Sequence, residues 1–505
     1  MNLFSSKLKR NELIKLSKEN TFKGININVF RNHSFEPCES IINAFLAFSN
    51  LRANFNLSSY DDSLSFNSHK NADINIIFID LNNYKNNIDD TLEEKIEELK
   101  NLNPAPIITL LLGDTKLKKY DLSQILSLKQ DELLDERNFE LSASRLSSKA
   151  FVKLAQVLGL SIIPSLLKPN LKAIIVDLDN TLYDGILGED GIDNLKLNSN
   201  HINLQNELQK LKNQGFLLAI ASKNNEEDVK KLFSHRSDFI LNLDDFSYIK
   251  ANWQSKDENI KEIVNFFNIG FDSVLFIDDN IAEIENTKYL GIKTLLADNE
   301  SSFALKLYPG LFKTKTNEED KLRSADIKAN IERKNLAKLN QKEYFLNLKI
   351  KLTFNINQNL QRCCELLNKT NQFIANYSRM DLIQCENFAK ENFILSIQMN
   401  DKLSDSGIIA VIVAKKEKEQ LLILDFCISC RALGRKLEKI MLYKSIALLK
   451  DKLNTKQTLL YYKQGERNLP FINFLQSLSI KIESNFAIIF DEKISYEGLE
   501  IESTI

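Results

Sequence analysis

Three short apolar runs near the middle of the chain each end in a cluster of charged or hydroxyl-bearing side chains, and this leaves few folds open. Ala173-Ile-Ile-Val176 runs into Asp177-Leu-Asp179-Asn-Thr181, Leu217-Leu-Ala-Ile-Ala221 into Ser222-Lys-Asn-Asn225, and Ser273-Val-Leu-Phe-Ile277 into Asp278-Asp279-Asn280. Runs with almost no polar break suit strands buried on both faces, as in a parallel sheet covered by helices. Helical patterns between them, about 200–213, Glu226–Phe233 and Lys256–Phe267, provide the crossovers, and Phe239–Leu241 reads as a further short strand. In open α/β sheets the site lies at the carboxyl ends of the strands, where these clusters fall.

The same alternation precedes this region. Ile25–Phe30, Ile74–Asp80 and Ile107–Leu112 are strand-length apolar runs, and Leu92–Leu102 and Gln124–Glu136 are amphipathic. Pro164 and Pro169 mark a break, and Thr314–Gln341 is charged with helical period. From Leu348 onward the pattern turns to hairpins and alternating strands. A chain of 505 residues accommodates about three domains of typical size. The expected fold class is multidomain α/β: a doubly wound domain over 1–165, a Rossmann-like domain over 166–312, a helical linker over 313–342 and an α+β domain over 343–505.

Charge and cysteine content exclude several roles. Lys and Arg number 66 against 68 Asp and Glu, a balance unlike that of a dedicated nucleic-acid binder. The six cysteines are too sparse for a disulfide framework, and Cys427-x-x-Cys430 has no second Cys or His pair near it to complete a zinc site. No apolar run is expected to reach the roughly 20 residues of a membrane span, and the first residues lack a signal-peptide pattern. A cytoplasmic location is expected.

The central clusters suit phosphoryl transfer. Asp177 and Asp179, two apart at a strand end, can flank one metal and one phosphate. A carboxylate nucleophile can accept a phosphoryl group and pass it to water, while a second carboxylate protonates the leaving oxygen and then deprotonates the water. Asp278 and Asp279 add hard oxygen ligands of the kind Mg²⁺ prefers. Ser222 offers a hydroxyl to a phosphate oxygen, and Lys256 adds positive charge where the transition state is most anionic. Between Thr181 and Ser222 there is room for a Gly-punctuated flap (Gly185, Gly188, Gly191), one helix and one strand. Between Ser222 and Lys256 there is room for one helix and a short strand, so neither gap holds a cap domain. Trp253, the sole tryptophan, reads as a packing residue that positions Lys256.

Asp177-x-Asp179-x-Thr181, Ser222, Lys256 and Asp278-Asp279 resemble the four motifs of the haloacid dehalogenase (HAD) superfamily of aspartate-nucleophile phosphatases. The resemblance implies Asp177 as nucleophile and Asp179 as general acid/base. It implies Mg²⁺ on the Asp177 carboxylate, the Asp179 main-chain carbonyl and one of Asp278 and Asp279. The longer strings Asp177-Leu-Asp-Asn-Thr-Leu-Tyr-Asp-Gly185, Ala221-Ser-Lys-Asn-Asn-Glu-Glu-Asp228, Asn252-Trp253-x-x-Lys256 and Phe276-Ile-Asp-Asp-Asn280 resemble its FkbH-like branch, whose usual Trp is Tyr183 here.

In the last domain, Ser406–Lys415 and Gln420–Ser429 form an expected hairpin that leads into Arg431-Ala-Leu-Gly434-Arg435 and a helix over Lys436–Lys450. A strand ending in a basic, Gly-containing loop that opens a helix can hold an anion. This order resembles the GNAT acyltransferase fold, which implies that Arg431, Gly434 and Arg435 hold the phosphopantetheine arm of a carrier protein, or CoA. Cys430, beside Arg431 and a helix start, reads either as a nucleophilic thiol or as a small buried hydrophobe. Ser429–Arg435 and Asn368-Lys-Thr-Asn-Gln-Phe373 match strings of the FkbH-like C-terminal region. Polyketide-pathway members of that family take glyceryl from 1,3-bisphosphoglycerate, remove the phosphate and load an acyl carrier protein; the resemblance implies phosphatase plus acyl transfer without naming the acyl group.

The first domain resembles a degenerate SGNH hydrolase. Its first strand ends Phe30-Arg-Asn-His-Ser34 instead of in Gly-Asp-Ser, and no His lies between His69 and His201, so a non-catalytic scaffold is expected. Two other readings remain: a phosphatase whose last domain only binds a substrate or partner, and a non-catalytic interaction protein.

Overall fold

The computed structural model describes all residues except 1, 86–87, 314–326, 328, 330–332, 334–335, 337–339, 430–431, 466 and 505. Three sheets carry the chain. The first, all parallel, has the order β2-β1-β3-β4, from β1 (Gly24–Arg31), β2 (Arg52–Leu57), β3 (Ile74–Asp80) and β4 (Ile107–Leu112). The second has the order β7-β6-β5-β8-β9, from β5 (Ala173–Val176), β6 (Leu217–Ser222), β7 (Tyr248–Ala251), β8 (Val274–Asp278) and β9 (Lys293–Leu296). The third has eight mixed strands in the order β15-β16-β14-β13-β12-β11-β10-β17. These are β10 (Lys351–Ile356), β11 (Phe393–Asn400), β12 (Asp405–Glu417), β13 (Gln420–Ile428), β14 (Gln457–Tyr461), β15 (Ile480–Ile482), β16 (Phe486–Ile489) and β17 (Glu500–Ser503).

The three sheets group into two compact units. One comprises Met1–Leu171 with Asn198–Glu207 and Leu296–Thr314; the other holds Lys172–Leu197, Leu208–Leu295 and Lys315–Ile505. The expected linker over 313–342 falls largely outside the described residues.

In the first unit, α1 (Glu36–Leu46) and a long helix, α2 (Ser148–Leu167), cover the sheet; the latter contains a π-helical stretch over Val157–Ile162. Gly159 lets α2 approach α1 closely, since a Cβ there would meet Phe45 Cβ at 2.7 Å. By length and composition α2 qualifies as a membrane span, which corrects the sequence expectation, but most of it is buried inside this unit. The expected helix over Gln124–Glu136 is broken into Leu122–Leu126 and Gln130–Leu133, with Ser127 in a left-handed conformation between them.

At the carboxyl edge of β1, His33 is fully buried, stacked on Phe78, with Nδ1 2.9 Å from Ser144 Oγ. Ser34 instead donates to Glu36 Oε2 at 3.0 Å, and His69 Nδ1 lies 2.9 Å from the Phe66 carbonyl. No Ser34 dyad with either histidine is therefore assembled here. Arg145 holds the buried Asp80 through two contacts of 2.7 and 2.8 Å.

The second sheet is apolar because helices pack on it. β5, β6 and β8 are buried along their whole length. In chain order the helices of this region are α3 (Ser199–Asn213), α4 (Glu226–His235), α5 (Lys256–Phe267) and α6 (Ile281–Thr287), of which α5 packs on β6, α6 on β8 and α4 on β7. The expected strand over Phe239–Leu241 is a loop; its Phe239 is buried against Tyr183 and Phe233, so its apolar character reflects packing, and the strand comes later, at β7.

The third sheet contains the expected hairpin, β12 against β13. β13 and β14 run parallel and pair only from Gln420/Gln457 to Ile423/Leu460. Beyond that point Phe373–Ala375 lies between them: Ala375 N–H donates to Phe426 O, Ile428 N–H to Phe373 O and Lys463 N–H to Ala375 O. The buried Asp425 carboxylate accepts the main-chain N–H groups of Ala375, Asn376 and Ser378 at 3.1, 3.0 and 2.6 Å. The five described cysteines are free and buried.

Burial, helped by Arg145 and Arg31 and opposed by Asp80, pushes His33 down to about 4 from 6.5. Between those values the unfolded chain binds a proton that the folded one refuses, so stability falls as pH drops through this window. Taking the first unit from pH 7 to pH 5 should cost the wild type about 2 kcal/mol more than it costs His33→Gln. Urea titration read by hydrogen exchange of β1 and β3 measures the difference.

Candidate active site

β6 and β8 flank β5 on either side, which makes the carboxyl end of β5 the point where chain connections diverge and a crevice opens. There Asp177 is 5 % exposed, its N–H bonded to Ile277 O on β8 at 3.0 Å. Lys256, the first residue of α5, is buried with its ammonium 2.8 Å from Asp177 Oδ2 and 2.5 Å from Asp278 Oδ2. Asp278 Oδ1 accepts the Asn280 N–H at 2.8 Å, and Thr181 Oγ1 lies 3.4 Å from Asp279 Oδ1. Ser222, at the end of β6, is buried beside them. Asp177, Ser222, Lys256, Asp278 and Asp279 thus converge on one sheet edge.

One ammonium faces three carboxylates. Burial pushes Asp177 up to about 6; Lys256 pulls against this and Asp278 adds to it. Asp278 and Asp279 are also raised, chiefly by burial. Burial alone would lower Lys256, but Asp177 and Asp278 override it and hold the ammonium above its ordinary value. Negative charge therefore exceeds what the protein itself neutralises.

Two further observations fit a divalent cation. One oxygen from each of Asp177, Asp278 and Asp279 lies within 4.8 Å of the others, the scale of an octahedral shell around Mg²⁺. Asp177 Oδ1 is buried without a hydrogen-bond partner, and such an atom is costly unless a ligand completes it.

Asp179 is held from two sides. Its Oδ1 accepts from Tyr183 OH at 2.6 Å and from Leu187 N–H at 3.1 Å, and its Oδ2 from Asn224 Nδ2 at 2.9 Å. Asn224 also donates to Ser222 Oγ at 3.1 Å, tying the two loops together. Tyr183 is fully buried and stacks on Phe239, so its hydroxyl is fixed. Neither Tyr183 nor Asn224 is marked by periodicity in the sequence; a tyrosine that can donate a hydrogen bond four residues after Asp179 is the local signal.

Three expected placements change. Trp253 is 71 % exposed and does not pack over Lys256; its Nε1–H donates to Asn225 Oδ1 at 3.0 Å. In the third sheet, Gly434 N–H donates to Glu438 Oε1 at 2.6 Å, so a carboxylate of the chain takes the place foreseen for a phosphate. Arg435 is buried and turned inward, with Nη1 3.0 Å from Ser406 Oγ, because a guanidinium under the surface needs acceptors there. Cys430 and Arg431 lie outside the described residues.

Among solved structures the chain is similar to the N-terminal part of BF1531 from Bacteroides fragilis, described as containing a phosphatase domain and complexed with Mg. The identity is 20 %, over 61 % of this chain and 99 % of that one, with a TM-score of 0.49. It is also similar to a HAD family enzyme from Bacteroides thetaiotaomicron in complex with magnesium and inorganic phosphate (16 % identity, 25 % and 93 % coverage, TM-score 0.19). A third likeness is to the PaiA N-acetyltransferase of Thermoplasma acidophilum with coenzyme A (18 %, 22 % and 70 %, TM-score 0.18). No family model and no curated protein matches the chain.

Lys256→Met removes the cation between two buried carboxylates and should destabilise the second unit by about 3–5 kcal/mol. Lys256→Met/Asp278→Asn, which also removes one stranded charge, should recover part of that loss in urea unfolding.

Proposed function

We propose that the second sheet is a Mg²⁺-dependent phosphatase of the HAD type with Asp177 as nucleophile. The observation that carries this reading is the buried, partnerless Asp177 Oδ1 beside an ammonium and two further carboxylates. The Asp177 carboxylate, the Asp179 main-chain carbonyl and a carboxylate of the Asp278–Asp279 pair would hold the metal. When bound, Mg²⁺ supplies positive charge to the phosphoryl oxygens.

Asp177 attacks phosphorus, and the bond to the leaving oxygen breaks as the aspartyl phosphate forms. Asp179, when protonated, gives its proton to that oxygen, then takes one from the water that attacks the aspartyl phosphate and releases inorganic phosphate. Ser222 donates a hydrogen bond to a phosphoryl oxygen and Lys256 offsets the developing negative charge during both steps. Tyr183 and Asn224 act on Asp179 as positioning residues.

The finer reading is an FkbH-like enzyme in which this step is coupled to acyl transfer. A phosphorylated donor such as 1,3-bisphosphoglycerate would supply a glyceryl-type group to the phosphopantetheine arm of an acyl carrier protein, in the cytoplasm. The GNAT-like C-terminal domain, with Cys430, Arg431, Gly434 and Arg435, would serve the transfer. Its support is the string resemblance; the inward Arg435 and the occupied Gly434 N–H favour the competing reading, a phosphatase whose last domain binds a partner.

Phosphate release from 4-nitrophenyl phosphate should require Mg²⁺, stop with EDTA and fall at least 1,000-fold in Asp177→Asn, as expected for loss of the nucleophile. Tyr183→Phe should lower kcat about tenfold, the worth of one hydrogen bond to a charged group, with little change in KM. Intact masses after incubation with 1,3-bisphosphoglycerate and a phosphopantetheinylated carrier test the coupling. A glyceryl adduct that keeps its phosphate in Asp177→Asn supports transfer; phosphate release without any adduct supports the phosphatase alone.

A further inference from the structure

The sole tryptophan is the least explained residue of the central site. Trp253 leaves 71 % of its surface in water, yet it is not loose. Its indole N–H is fixed on Asn225 Oδ1, and Asn225 is steadied by its own bond to Asp228 at 3.3 Å. On the preceding side, Asn252 N–H donates to the Ser222 carbonyl at 3.1 Å, and Asn252 Oδ1 accepts from Gln254 N–H and Asn259 Nδ2 at 3.0 and 2.9 Å. Three residues onward is Lys256. Asn225 follows Asn224, which bonds Asp179. The ring is thus anchored on both loops that carry the phosphate-facing groups Ser222 and Lys256.

Other apolar side chains border the same edge. Ile281, directly after Asp278-Asp279-Asn280, is 63 % exposed, and Ile186 lies exposed in the flap after Tyr183. By sheet order Trp253 follows β7 and Ile281 follows β8, so they stand on opposite flanks of the catalytic cluster. A scattered apolar residue on a surface needs no explanation. An oriented indole held on the loops of Ser222 and Lys256 suits a flat ligand group, because its fixed ring loses little freedom when such a group stacks on it. The flanking Lys223 and Glu283 are paired with each other at 2.6 Å.

We propose that Trp253 is a specificity-determining residue that receives an aromatic or branched aliphatic leaving group of the phosphorylated substrate. This rests on the phosphatase reading. The phosphoryl group goes to the Asp177 cluster, and the part beyond the leaving oxygen lies on the indole, so that remote binding energy favours substrates with an apolar arm.

Two measurements on the full chain with Mg²⁺ test it. The ratio of kcat/KM for phenyl phosphate to that for acetyl phosphate should fall about tenfold in Trp253→Ala, mostly through the KM for phenyl phosphate, and should be largely restored in Trp253→Phe. Trp253 is also the only source of tryptophan emission, so titrating phenyl phosphate into Asp177→Asn should give a saturable emission change that acetyl phosphate does not give. An unchanged ratio with unchanged emission overturns the proposal. If the wild type hydrolyses neither compound, the phosphatase reading fails, and the emission titration still decides whether the indole takes the aryl group.

Discussion

The ammonium of Lys256 between Asp177 and Asp278 is the contact on which the central site depends. It spans the carboxyl ends of β5 and β8, which the sheet already pairs, from the first residue of α5. A charge pair this deep gains little net stability from its own attraction, because both partners gave up water to form it. Its role is geometric: it brings two carboxylates together where they would otherwise repel. The surplus negative charge is then left facing the open side, which is what a cation-dependent phosphoryl site requires.

A second layer supports this centre without sharing its charge. Asn224 links Ser222 to Asp179, and Tyr183 meets the other oxygen of Asp179 from within the core. The position of the carboxylate is consequently set by a packed ring and an amide, groups whose own placement follows from Phe239 and the β6 loop. Rigid neighbours of this kind would keep Asp179 aligned for the proton transfers proposed for it without holding it by an opposite charge.

Much of this was legible from the chain because it depends on strand ends. An apolar run of four or five residues followed by Asp or Ser marks both a buried strand and the side from which the next residue emerges. Asp177, Ser222 and Asp278 were therefore placeable one by one, and the hairpin of β12 and β13 followed from alternation. The roles of Tyr183 and Trp253 were not. Aromatic residues in loops carry no periodicity, so nothing local tells that Tyr183 turns inward and Trp253 outward. Phe239–Leu241 misled for a related reason: apolar residues that fill a loop beneath an aromatic ring look like a strand. The basic, Gly-containing loop around Arg435 is legible as a loop, but the inward turn of Arg435 to Ser406 Oγ and the acceptance of the Gly434 N–H by Glu438 depend on tertiary neighbours.

The insertion of Phe373–Ala375 between β13 and β14 has a consequence for how the third sheet meets other molecules. Two parallel strands that part company normally leave facing rows of N–H and C=O groups, and such rows attract any extended chain. Here the protein supplies its own short splint, and Asp425 fastens it by three main-chain N–H groups. An extended guest at that seam would replace bonds that already exist, not add new ones, so backbone pairing would give it little net gain. Any extended segment that docked there would have to be selected by the particular side chains that border the seam.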